Sequence, residues 1–199
     1  MSDEIKSARE IALAKAEAES KEITTEDRMR WKYVPEGEKL GARIVSGEFN
    51  IEEELNKRET SARTYLIQGA LSIIYSNIIL PHGKNEKEHT RRALEAVVVL
   101  KKDKNKAKQV VEQIRNLFDH YETQGNSQKN QAIEQLKTEY SRKLKQAIEQ
   151  QLGSSASGMI ADVDNLPQFK EEKRRLVNQF DSQYIRLLNE YKEELKQIG

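Results

Sequence analysis

Few residues in this chain have reactive side chains, and their spacing limits what they can do. Cysteine is absent, which removes thiolate nucleophiles, disulfides and cysteine-ligated zinc together. The three histidines are His82, His89 and His120. Glu86 and His89 form one Glu-x-x-His pair. A di-iron bundle needs two such pairs and carboxylates from two further helices, all facing inward. Here a single copy opens a helix beside Arg91 and Arg92, so it reads as a solvated first turn. His-Glu-x-x-His, Gly-x-Ser-x-Gly, Gly-x-Gly-x-x-Gly and Walker-type loops are all missing. Asp119 and His120 sit in a helical pattern whose apolar face centres near Ile114 and Tyr121. At 100° per residue Asp119 points away from that face and His120 lies on its flank, a boundary position rather than that of a general base. His82, between Pro81 and Gly83, belongs to a turn. The reading assigns no catalytic residue, no metal ligand and no cofactor, and an enzyme becomes the least favoured class.

Two stretches remain that could bind something. Residues 84–115 carry ten basic and five acidic side chains, whereas residues 1–60 carry eleven and fifteen. The basic island comprises Lys84, Lys87, Arg91, Arg92, Lys101, Lys102, Lys104, Lys106 and Lys108. It is a candidate polyanion or nucleic-acid surface, read through counterion release. It lacks interleaved aromatic rings for base stacking and any helix-turn-helix spacing, so a solvated charged face is the favoured reading. The second stretch runs from Trp31 to Gly41 and holds the only tryptophan, a proline and two glycines. Trp31 and Tyr33 are candidate partner contacts. The favoured alternative is a kinked corner in which Trp31 plugs the core, because aromatic rings bury large areas.

The elements that must position these residues are helices. Glycine and proline are scarce, nine and three in 199 residues, and helix formers dominate between them. Residues 2–22 form an alanine-rich segment with little area to bury, a candidate peripheral arm. Thr24 or Thr25 caps the next helix at Glu26-Asp27. Pro35 predicts a break or kink near Val34, followed by a short helix from Glu36 to Ser46 that stops at Gly47. A helix opening at Asn50 carries Leu55, Ala62, Leu66, Gly69, Ala70, Ile73 and Ile74 on one face and ends at Pro81. Gly69-Ala70 leaves room for a close crossing. The next helix begins at Asn85 and buries Leu94, Val97, Val98 and Leu100. Another starts near Asp103, buries Val110, Val111, Ile114, Leu117 and Phe118, and ends at a Gly125 cap. Residues 127–152 and 167–198 alternate threes and fours as a coiled-coil seam does. A Gly/Ser-rich linker at 153–158 and an apolar patch at 159–163 join them into a hairpin. No internal repeat of fixed period is evident.

The composition fits thin rods better than a sphere. Only 36% of residues are hydrophobic and 34% are charged, at a net charge of +1. An ordinary globular domain is about 45–50% apolar with glycine counted. The fold expected is all-α: one domain over 1–199, an elongated antiparallel bundle of six to seven helices with a long C-terminal hairpin at 127–199. No signal peptide is read at Met1–Lys6. The greasiest run, Leu71–Leu80, is too short for a bilayer of roughly 30 Å. A cytoplasmic protein without membrane contact is expected. A thin core favours sharing apolar seams with a partner, so the leading reading is a non-enzymatic helical interaction or scaffold protein, with a homodimer favoured. A polyanion binder through residues 84–108 is the second reading, and an enzyme with a site assembled between helices the third.

Overall fold

In the computed structural model the described residues are 24–48, 51–152 and 162–199. They form seven α-helices and no strand. These are α1 (Thr25–Ser46), α2 (Ile51–Asn56), α3 (Thr60–Ser76), α4 (Lys84–Leu100), α5 (Lys104–His120), α6 (Asn126–Leu152) and α7 (Pro167–Gln197). A π-helical turn, Tyr121–Gly125, lies between α5 and α6. The arm at 1–23, the Asn50 cap and the linker at 153–158 lie outside the described residues.

Helix α1 does not break at Pro35. It runs through the proline, which costs the helix one hydrogen bond. A capping box at Thr24 and Asp27 closes its N-terminus, and Gly47 in the left-handed region, at φ 87°, closes its C-terminus. Packing against α3 on both sides of Pro35 holds the helix together across the proline. Gly37 rests on the Leu66 carbonyl, Gly41 on Ala70, and Gly69 of α3 on the Val34 carbonyl. A methyl group at Gly37 or Gly69 would fall 2.2 or 2.1 Å from those oxygens. The small residues thus bring two backbones into contact, as Gly69-Ala70 leads one to expect. The pairs 37/66 and 41/70 also show that α1 and α3 run in the same direction.

The helix expected from Asn50 to Pro81 is two helices. A break at Lys57–Glu59 separates α2 from α3, and α3 ends at Ser76 with Asn77 as its cap. Residues 78–80 are extended and cross the core, with Ile78 and Leu80 buried. Backbone groups there need partners. Buried Thr90 of α4 donates to the Asn77 carbonyl at 2.9 Å, and Lys192 of α7 to the Ile78 carbonyl at 3.1 Å. Helix α4 starts at Lys84 with Gly83 as its N-cap, so Asn85 caps nothing. Asp103 caps α5 through the Lys106 amide.

Gly125 does not stop α5. The backbone stays right-handed through the π turn and continues as α6, making one helical path from Lys104 to Leu152 of roughly 70 Å. The glycine serves proximity rather than turning: a methyl group there would meet the Tyr184 hydroxyl at 2.6 Å. Helix α7 opens with Pro167 in its first turn and runs back antiparallel along this path. Tyr140 packs edge-on against Phe169 at 5.5 Å between ring centres. At the far end Lys101 donates to the Ile198 carbonyl at 2.6 Å.

Burial is uneven along the hairpin. The main core joins Ile44, Ile74, Ile78, Leu94, Val97, Ile114, Tyr121, Leu188 and Leu195, and a smaller cluster lies around Leu40, Ala62 and Leu66. Both sit at the α1–α5 end. No helix among the described residues is long and apolar enough to cross a membrane.

Candidate functional site

The basic island is divided by the helix that carries it. Lys84, Lys87, Arg91 and Arg92 sit in the first half of α4. Lys101, Lys102, Lys104, Lys106 and Lys108 sit at the α4–α5 turn, roughly 25 Å from the α4 start. Several of these cations are already engaged. Lys87 pairs with Glu122 at 2.7 Å, and Arg91 lies between Glu88 and Glu95 at 2.6 Å from each. Arg92 donates to the Ser46 carbonyl at 2.7 Å and so closes the end of α1. Lys106 pairs loosely with Asp103 at 3.8 Å. Lys101 is buried, its ammonium held on the last carbonyls of α7, and burial lowers its pKa. A cation in that position caps a helix end and cannot reach an external phosphate. Lys84, Lys102, Lys104 and Lys108 are exposed.

Trp31 is not a core plug. It is 62% exposed on α1, while Tyr33, half-buried, packs against the Leu40–Ala62–Leu66 cluster. In a helix that stays continuous, residue 33 falls on the buried side and residue 31 beyond its edge. The helix runs unbroken through Pro35, so the corner invoked to bury the indole is not formed.

The structure brings together a set of residues that the spacing did not connect. Tyr121 opens the π turn, Lys129 lies on α6, Asp181 on α7, and His82 in the segment before α4. The Tyr121 hydroxyl donates to Asp181 Oδ1 at 2.9 Å. Lys129 Nζ donates to that hydroxyl at 3.0 Å and to the same Asp181 oxygen at 3.2 Å. His82 Nδ1 stands 3.3 Å from the Tyr121 oxygen. The phenol has one hydrogen and gives it to Asp181, so His82 meets it as an N–H donor from Nδ1. Asp181 is 9% exposed. Burial raises the Tyr121 pKa, the Asp181 contacts add to the rise, and Lys129 opposes it. Burial works to lower Lys129, but its bonds to Tyr121 and Asp181 outweigh this and hold the ammonium above its ordinary range. A second layer covers the node. The Tyr184 ring meets Tyr121 edge-on at 5.0 Å over Gly125, and its hydroxyl lies 2.9 Å from His120 Nδ1.

This node joins four elements through a compensated charge pair. Its chemistry is that of a lock: every polar atom of Tyr121, Lys129 and Asp181 just described faces another member. A cleft of about 240 Å³ includes Pro81 and Glu122, but none of the four node side chains lines it; Lys87, Arg91, Arg115 and Asp119 do. Glu86 receives the His82 amide at 3.1 Å rather than joining His89 in a ligand set. Among the described residues no group of three or more His, Cys, Asp or Glu could hold a metal ion. The node had one sequence signal, a carboxylate at 181 set between Phe180 and Tyr184 in an otherwise apolar seam.

Fold and node together define an all-α helical bundle whose hairpin helices α6 and α7 are joined by the largely buried Lys129–Asp181 pair and tied to the core through the Tyr121 hydroxyl. The chain belongs to the family described as Family of unknown function (DUF6657), whose sequence profile matches residues 52–197. No curated protein and no solved structure matches it.

Proposed function

We propose that the protein is a non-enzymatic helical interaction protein that pairs with a second copy of itself through the outer part of the α6–α7 hairpin. One observation carries this reading. Helix α6 spans 27 residues, yet none of its described side chains is buried. Ile133, Leu136, Tyr140, Leu144 and Ile148 keep the spacing of a core-facing stripe and remain half-buried. The 17-residue α5, by contrast, buries Ala107, Val110, Val111, Ile114 and Phe118. On the facing part of α7, Phe169 is buried but Leu176, Val177 and Phe180 are not.

Two helices can cover each other along one line only. A two-fold mate would convert this pair into a four-helix bundle with both stripes inside. The eight half-buried side chains named would form the apolar centre of an interface, whose standard size of about 20–30 residues a side takes in their polar neighbours as well. Its flanking charges are matched locally, Lys137 with Asp164, Lys145 with Glu149, and Arg174 and Arg175 with Glu171. Two identical faces therefore meet without a large like-charge penalty.

Sedimentation equilibrium from micromolar to near-millimolar protein tests the proposal. The expected mass rises toward twice 23.0 kDa. Leu136→Asp with Leu144→Asp should hold the chain at the monomer mass with its helical circular dichroism retained. A native chain that stays monomeric throughout overturns the reading.

A further inference from the structure

A different surface carries a second and independent inference. The outer face of α1 lies opposite its buried stripe of Gly37, Leu40, Gly41 and Ile44. At 100° per residue that outer face presents Arg28, Trp31, Lys32, Pro35, Lys39 and Ala42, and all six are exposed. Three cations thus line about eleven residues of one helix with an exposed indole among them. Arg28, Lys32 and Lys39 enter no ion pair with a described residue, unlike Lys87, Arg91 and Lys106 of the basic island. Lys32 lies 4.9 Å from the centre of the Tyr33 ring, which leaves its ammonium free to take a further acceptor. Glu38, at the edge of the stripe, is its only carboxylate.

We infer that this face of α1 docks a single-stranded nucleic acid, one base stacking on Trp31 and the flanking phosphates held by Arg28, Lys32 and Lys39. Base stacking needs an accessible aromatic plane, and phosphate contact needs cations free of internal ion pairs along the same face, here one turn apart at Arg28 and Lys32 and two turns further at Lys39. Both are present on this convex surface. A membrane would need more apolar side chains to insert than one indole, a proline and an alanine provide. The island at 84–108 lacks an aromatic ring and spends several of its cations internally. The polyanion surface therefore moves from the middle of the chain to α1.

Trp31 is the only tryptophan, so its fluorescence reports this surface alone. Titrating the full chain with a short oligothymidylate at low salt should quench that emission. Three phosphate contacts predict a loss of affinity of roughly twenty-fold when monovalent salt is raised four-fold. Arg28→Glu with Lys32→Glu should abolish the quench, whereas Lys102→Glu with Lys108→Glu should leave it. All four positions are exposed, so folding is not at stake. No quench at low salt overturns the inference, and so does a quench that survives the α1 reversals or is lost with the Lys102 and Lys108 pair. Equal quenching by polyglutamate, or a blue shift with phosphatidylserine vesicles and no response to the oligonucleotide, overturns it in favour of an acidic protein or a membrane.

Discussion

At the scale of single residues, the two most buried phenols make opposite demands. Tyr121 has three polar partners. Tyr75 is 8% exposed and its hydroxyl has none. An orphaned buried hydroxyl costs about 1–3 kcal/mol. Tyr75→Phe is therefore expected to leave stability unchanged or raise it by about 1 kcal/mol at neutral pH, read from urea denaturation; a loss above that size would reveal a partner for the hydroxyl. Burial, with Glu193 adding, pushes the Tyr75 pKa from 10.0 up to about 12. A raised pKa means the folded state keeps a proton that the unfolded chain releases. The associated stability is whole below pH 10 and is lost as pH climbs toward 12, on the order of 2–3 kcal/mol. Lys101 and Lys192 run the other way, since burial lowers them and their cost is relieved as pH rises toward 10.5. The tyrosine contribution is isolated by comparison with Tyr75→Phe, whose stability should fall less steeply above pH 10. In the node, Lys129→Met leaves the Asp181 carboxylate buried without its cation, at an expected cost of about 2–4 kcal/mol. Adding Asp181→Leu should recover most of it. A double variant no more stable than Lys129→Met would mean that the pair does more than neutralise itself.

Between elements, the α1–α3 crossing reverses an ordinary rule. Glycine inside a helix is normally improved by alanine, by about 1 kcal/mol. At Gly37 and Gly69 the new methyl group would strike backbone oxygen of the neighbouring helix. Gly37→Ala and Gly69→Ala are each expected to destabilise by about 3 kcal/mol or more, seen as a lower melting temperature. A melting temperature that rises instead would mean the helices are not in backbone contact. Some of this level was legible from sequence. Gly69-Ala70 indicates a tight crossing, Gly47 marks the end of α1, and Pro167 marks the start of α7. Pro35 and Gly125 mislead for one reason: local rules describe an isolated segment. Contacts from α3 hold α1 through its proline, and the Tyr184 ring requires a glycine at 125 where no turn occurs.

For the whole molecule, the distribution of burial sets the expected dynamics. The core at the α1–α5 end is closed over by α7, while the outer α6–α7 hairpin carries a half-covered stripe. Amide hydrogen exchange should be slow in α5 and in the last turns of α7. It should be faster at 136–150 and 169–178 in dilute protein, with protection there growing as concentration rises. Uniform protection independent of concentration would mean that one copy suffices.

The sequence by itself determined the helices and the stripes on them, because apolar spacing and the rarity of glycine and proline act over a few residues. It placed part of the apolar stripe of the C-terminal hairpin, but the inward residue is Leu188, and Leu187 is exposed. Tertiary structure alone decided which stripe is covered, that Trp31 faces outward, and that His82, Tyr121, Lys129 and Asp181 meet. Those four come from separate stretches of chain, and their charges and hydrogen bonds select each other only once α7 has folded back along the path from α5 to α6.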